Sequence, residues 1–168
     1  MALYTSAQAA KLLRKWNEEY TALLDQEIQS RSFVAAVGED AESVRPAYDY
    51  AATQRELAEL EQKIRALKHQ INQFNVTHVV PGFDMTVDAL LVYIPQLTRR
   101  KSKLAQMRGQ LPKVREGSSG RSNIIDYRYT NYDVAEADAD YHATVDELAR
   151  AQTALDLVNS TETFEIDL

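Results

Sequence analysis

The clearest pattern along the chain is a heptad repeat of apolar residues in the stretch "RELAELEQKIRALKHQINQF", residues 55–74. Its apolar residues are spaced alternately by three and four positions: Leu57, Leu60, Ile64, Leu67, Ile71 and Phe74. This spacing places them on one narrow face of a helix that packs against another helix. Because Pro46 suits a first helical turn, the pattern predicts a helix over about residues 46–74.

Three further segments show helical spacing of their apolar residues, at about 5–31, 85–111 and 133–159. The first opens with Thr5 and Gln8, which have the spacing of a capping box. The last opens with Asp133 and Glu136, which have the same spacing. The sequence therefore predicts four long helices.

Three short stretches are apolar or alternating over too few residues for a helix, at about 32–37, 123–129 and 163–168. Their sequences, "SFVAAV", "NIIDYRY" and "TFEIDL", are typical of short strands. If the helices alternate up and down, residues 32–37 meet residues 123–129 at one end. Residues 76–80 then meet residues 163–168 at the other end.

These elements predict a mainly α fold, an elongated up-down bundle of four long coiled-coil-like helices with short β-strand additions at the bundle ends. We expect a single helical domain over residues 1–168, since this length supports one core. Two-stranded pairs are marginal by themselves, so pairing of these strands with a second subunit is an alternative to pairing within the chain.

Composition narrows the possible functions by exclusion. The net charge of -6 argues against a nucleic-acid partner, because phosphate binding needs a basic surface. The absence of cysteine excludes disulfides, thiol chemistry and cysteine-based zinc sites. The longest apolar run, residues 89–94, is too short to cross a bilayer, and the first residues do not resemble a secretory signal. We therefore expect a cytoplasmic protein without a membrane partner.

Charge is divided along the second half of the chain. Residues 99–115 contain seven basic residues and no acidic one, whereas residues 131–168 contain ten acidic residues and one basic residue, Arg150. Two interpretations are open: helices three and four attract each other, within or between chains, or helix three carries an anion site. We favour the first, because solvated helix faces commonly carry such runs.

Polar residues collect around Pro81-Gly82, where the second helix ends and the third begins. The candidate docking residues for a ligand or partner are Asn72, Asn75, His78, Asp84, Thr86 and Asp88. A structural role explains the same residues: Thr86 or Asp84 caps helix three, and the asparagines close the carbonyl end of helix two. We favour this elbow interpretation, with its exposed tip as a place for a partner to dock.

A second candidate site lies in the fourth helix, where Asp138, His142 and Asp146 are spaced by four residues. Such a column shares one helix face and carries groups that bind divalent metals. We favour an exposed polar face as the explanation, because nothing else in the sequence supplies a matched set of ligands. Just before the fourth helix, Tyr127, Arg128, Tyr129 and Tyr132 interleave aromatic and basic groups, which we assign to strand packing or a subunit interface rather than to stacking of bases or sugars.

The order of several motifs resembles an uncharacterised bacterial helical family often labelled septicolysin. The resemblance is carried by residues 71–75 ("INQFN"), 82–90 ("GFDMTVDAL"), 124–129 ("IIDYRY"), 132–134 ("YDV") and Asn159. It covers about residues 55–168. It implies a helical, oligomeric protein and assigns no activity, cofactor or catalytic residue.

We therefore expect a protein without a cofactor that acts by self-association as a dimer or higher oligomer, with a further protein partner unknown. No phosphate-binding loop, dinucleotide fingerprint, serine elbow or zinc-protease motif appears in the sequence. Two alternatives remain. One is a small-ligand or metal-dependent enzyme with a site at a bundle end, and the other is a membrane-active toxin.

Overall fold

The computed structural model describes residues 2–117 and 125–166 of the chain. The elements, in order, are β1 (Ala2–Thr5), α1 (Ser6–Ser30), α2 (Tyr50–Thr77), α3 (Val87–Arg108), β2 (Lys113–Arg115), β3 (Tyr127–Tyr129), α4 (Val134–Thr161) and β4 (Thr163–Ile166). The prediction of a mainly helical protein with four helices and short strands is confirmed. The chain divides into two compact units, residues 1–77 with 158–168, and residues 78–157. The single folding domain and the elongated bundle stay predictions.

The first unit contains a helical hairpin and a two-stranded sheet. α1 and α2 are antiparallel, because Glu27 near the end of α1 accepts a hydrogen bond from Gln54 near the start of α2 at 2.6 Å. The small sheet pairs β1 with β4 in antiparallel register, with Tyr4 opposite Phe164. Ala9, Leu67 and Ile166 form the fully buried centre, so strand and helices share one core.

α1 begins where the sequence predicts, because the predicted capping box is present. The Thr5 hydroxyl accepts a hydrogen bond from the backbone N–H of Gln8 at 3.2 Å, and the Gln8 side chain accepts one from the N–H of Thr5 at 2.9 Å. These two bonds satisfy donors that a helix start leaves without an internal partner. The cap also fixes the point at which β1 gives way to α1.

The second unit contains α3, the β2–β3 ribbon and most of α4. Leu90, Leu97 and Leu104 are buried on α3, and Leu148 and Ala151 are buried on α4. α3 and α4 are antiparallel, because Arg108 at the end of α3 pairs with Asp138 near the start of α4 at 2.6 Å. One residue of the basic run therefore pairs with one residue of the acidic run within this unit.

Three of the strand predictions need correction. Residues 32–37 belong to no strand, and the partner of Tyr127–Tyr129 is instead Lys113–Arg115. Residues 76–80 do not pair with the C-terminal strand, because Thr163–Ile166 pairs with Ala2–Thr5. Residues 123, 124, 167 and 168 of the predicted strands lie outside the described residues.

Candidate functional site

The elbow between α2 and α3 is a short, hydrogen-bonded loop in the second unit. Val79 and Thr86 form an isolated antiparallel bridge. The N–H of Val80 donates to the carbonyl of Met85 at 2.9 Å, and the N–H of Val87 donates to the carbonyl of His78 at 3.0 Å. Gly82 has φ of +81°, a left-handed conformation that side-chain-bearing residues rarely adopt. These bonds close the loop on its own backbone.

Thr86 is the N-cap of α3, as the elbow interpretation predicts. Its hydroxyl accepts a hydrogen bond from the N–H of Ala89 at 3.3 Å, and its backbone is extended. Asp88 is exposed in the first turn, where a negative charge interacts favourably with the helix dipole. Asp84 is exposed in the loop before the cap. The positions of Thr86 and Asp88 at the start of α3 thus explain why these two residues are polar.

Replacing Thr86 with alanine is expected to lower the free energy of unfolding by about 1 kcal/mol, because α3 loses its capping hydroxyl. Denaturant unfolding followed by circular dichroism measures this change. Thr86→Ser is the matched control, since it keeps the hydroxyl and is expected to stay close to wild type. Equal stability of Thr86→Ala and Thr86→Ser would contradict the capping role.

The six candidate docking residues are not gathered in one compact unit. Asn72 and Asn75 belong to the first unit, whereas His78, Asp84, Thr86 and Asp88 belong to the second. Asn72 is exposed, and Asn75 is partly buried with an amide oxygen that accepts no hydrogen bond from a described residue. His78 is partly buried. Docking at this tip stays a prediction.

Asp138 of the proposed metal column on α4 already forms an ion pair. Nε of Arg108 lies 2.6 Å from Oδ1 of Asp138, and Nε2 of His142 lies 3.7 Å from the same carboxylate oxygen. Arg108 also stacks over Tyr141, with its guanidinium carbon 4.4 Å from the ring centre. Asp146 is exposed, and residues eight apart on a helix are separated by about 12 Å along its axis. The three side chains therefore do not converge on a single ion.

Within residues 2–117 and 125–166, no group of three or more histidine or acidic side chains is placed to hold a metal ion. No helix in those same ranges has the length and apolar character needed to cross a membrane.

A groove that the sequence patterns did not indicate runs between α1 and α2. It has a volume of about 530 Å³ and is lined by Asn17, Tyr20, Glu61, Ile64, Arg65, Lys68, His69 and Asn72. The Tyr20 hydroxyl donates to Glu61 at 2.8 Å, and this bond raises the pKa of Tyr20 above its ordinary value. Ile64 belongs to the apolar face of the heptad repeat and is only partly buried. The groove is thus lined mainly by polar and charged side chains, with Ile64 as its aliphatic residue.

Comparison with known proteins finds a similar fold but indicates no activity. The chain matches no protein-family model and no curated protein. Its fold is similar to the crystal structure of a functionally unknown conserved protein from Corynebacterium diphtheriae, with 18% sequence identity and a TM-score of 0.60. The similarity covers 98% of this chain and 100% of that one.

This likeness extends over both compact units and is therefore a likeness of the whole fold. At such low identity it supports the architecture alone. The resemblance to the septicolysin family is a separate matter and stays a prediction.

Proposed function

We propose that the protein is a non-enzymatic, self-associating helical interaction protein. Its solvent-accessible surface is 12173 Å². A compact monomer of 19.0 kDa exposes about 8,400 Å². Even two separate compact domains, each with half of that mass, expose together only about 10,100 Å². The large exposed surface carries the proposal.

The core of the first unit supports the proposal at the level of individual residues. Tyr4, Leu13, Trp16 and Ile71 pack against the buried centre, yet each is only partly buried. Two helices and two strands cannot enclose these side chains, because a packed side chain must be covered on every side to be removed from water. Association of two or more chains would cover this surface and complete the predicted coiled-coil bundle.

The amount of exposed surface suits a dimer. Obligate homodimers bury about 2,000–5,000 Å² in total, and therefore about half of that on each chain. Each chain exposes about 2,100 Å² more surface than two separate compact domains of the same total mass. A closed two-fold dimer is the commonest assembly of this kind. A cytoplasmic location also stays a prediction.

Sedimentation velocity over a wide range of protein concentration tests this proposal, together with native mass spectrometry of protein purified without chelators. We expect a defined multiple of 19.0 kDa with no additional bound mass. A monomer at every concentration would overturn self-association. A stoichiometric metal or small-molecule adduct would overturn the non-enzymatic assignment and favour the ligand-dependent alternative.

A further inference from the structure

The most exposed apolar part of the described chain is the connection that follows α1. Residues 33–37, with the sequence "FVAAV", are five consecutive uncharged apolar residues. Val34 is 92% exposed and Val37 is fully exposed at 109%. A run of this kind marks an interaction site when it stays uncovered in the folded chain. We call residues 32–37 the apolar segment.

The backbone of the apolar segment belongs to no helix or strand, ends in a turn at Val37, and leaves most of its hydrogen-bonding groups open. The N–H of Ala36 donates to the Glu39 carboxylate at 2.9 Å, and the N–H of Glu39 donates to the carbonyl of Ala36 at 3.1 Å. Within the described ranges, the backbone groups of Phe33, Val34 and Ala35 have no protein partner. A segment with open N–H and C=O groups is able to add to the exposed edge of a sheet as a further strand.

The β2–β3 ribbon offers the complementary edge. Its two strands have three residues each, and every one of the six residues is exposed. Lys113 lies beneath Tyr127 and Tyr129, with its ammonium group 4.1 Å and 5.3 Å from the two ring centres. No other strand pairs with this ribbon in the part of the chain that the structure describes. A ribbon of two strands is marginal in water, so a third strand would stabilise it.

Acidic residues follow the apolar segment and basic residues lie on the ribbon, and Arg45 stacks over Phe33 of the segment with its guanidinium carbon 5.1 Å from the ring centre. The apolar segment runs into a turn at Gly38, whose φ is +91°, and then into Glu39 and Asp40. The ribbon carries Lys113 and Arg115 in addition to the pair formed by Arg128 and Glu116. An acidic turn therefore follows the candidate strand, and cations line the candidate edge. Such complementarity favours one partner over others and aligns it.

We propose that the apolar segment of one chain adds as a strand to the β2–β3 ribbon of a second copy, and that the second copy returns the same contact. The strand sequence and the ribbon edge are both present in each chain. A two-fold dimer would satisfy both at once, since each contact is repeated by symmetry. This inference rests on the proposed function and names its surface.

Proline substitution at successive positions tests for a backbone ladder. In a strand, the N–H groups of neighbouring residues point in opposite directions, so only one of Val34 and Ala35 donates to the partner. Proline removes that N–H and suits an extended chain, so the fold should be retained. We expect one of Val34→Pro and Ala35→Pro to raise the dimer dissociation constant about tenfold, and the other to change it about twofold or less.

Matched controls keep the backbone donor at each position. Val34→Thr and Ala35→Ser are expected to associate like wild type. If both proline variants associate normally, or both weaken association equally, strand addition is overturned while self-association stands. If the wild-type chain is a monomer, the proposed function itself fails. Sedimentation velocity distinguishes these outcomes, with circular dichroism confirming that each variant is folded.

Disulfide cross-linking identifies the occupant, because the chain has no cysteine of its own. Val34→Cys protein is mixed with Val114→Cys protein, which probes β2, or with Arg128→Cys protein, which probes β3. We expect one mixture to form a covalent heterodimer under oxidation, whereas a control mixture with Lys63→Cys on α2 does not. A disulfide within monomeric chains of the Val34→Cys, Val114→Cys or Val34→Cys, Arg128→Cys double variants would show pairing inside one chain and overturn the proposal.

Discussion

Leu67→Ala is expected to lower the free energy of unfolding by about 2–5 kcal/mol, because it deletes a large side chain from a closed core. Leu67 is fully buried, with 0% exposure, and its neighbours in the core come from α1 and β4. No single element can refill the space, so part of it remains as a cavity. Chemical denaturation at fixed protein concentration, followed by the fluorescence of Trp16, measures the loss.

Two controls separate the cavity from the chemistry of the substitution. Leu67→Met keeps most of the volume and is expected to cost less than about 1.5 kcal/mol. Leu111→Ala removes the same atoms from a side chain that is 65% exposed, so a change of at most about 0.5 kcal/mol is expected. A loss at Leu67 no larger than that at Leu111 would contradict this description of the core.

Leu97→Ala is expected to destabilise the chain by a similar amount, about 2–5 kcal/mol, and to do so from the other compact unit. Leu97 is 1% exposed on α3. The only tryptophan of the chain, Trp16, lies in the first unit on α1. We expect the Trp16 transition to shift with the helical signal, because α4 is one continuous helix that carries residues of both units.

Comparison of the two variants therefore tests the single-domain prediction. Tryptophan fluorescence reports the first unit, whereas circular dichroism at the helical minimum reports all four helices. Coincident transitions in both variants indicate one cooperative domain. If Leu97→Ala leaves the Trp16 midpoint unchanged while the helical signal develops two steps, the units fold separately and the prediction is wrong.

Local hydrogen bonding explains why several helix boundaries could be predicted. The caps at Thr5 and Thr86 need only residues within three positions of each other, so the sequence contains the whole interaction. The start of α2 shows the limit of this reasoning. Pro46 suits a helix start, but the side chain of Asp49 accepts a hydrogen bond from the N–H of Ala52 at 3.0 Å, and α2 begins at Tyr50. The sequence thus contains two possible helix starts, and α2 begins at the one that the Asp49 carboxylate caps.

Strand partners were poorly predicted because they depend on distant residues. β1 pairs Ala2 with Ile166, near opposite ends of the sequence, and four residues carry too weak a pattern to indicate such a strand. The apolar segment has the composition of a strand but no strand in the described chain beside it. Composition therefore indicated a strand, while the presence of a neighbouring strand decided whether one formed.

The candidate sites divide in the same way. The role of Thr86 as a cap follows from local spacing, and the structure confirms it. The engagement of Asp138 with Arg108 joins residues thirty positions apart, and only the packing of α3 on α4 brings them together. The groove beside Tyr20 likewise requires α1 and α2 to lie side by side before its walls exist.

The sequence by itself determined that four helices form, the caps that start α1 and α3, and the heptad face whose Leu57, Leu67 and Phe74 become buried. Helical periodicity and capping involve residues only a few positions apart, so both can be predicted from the local sequence. The tertiary structure alone decided which strands pair, which charges meet and which apolar residues stay exposed. Each of those outcomes depends on segments far apart in the chain coming into contact, and loop closure and packing determine that contact.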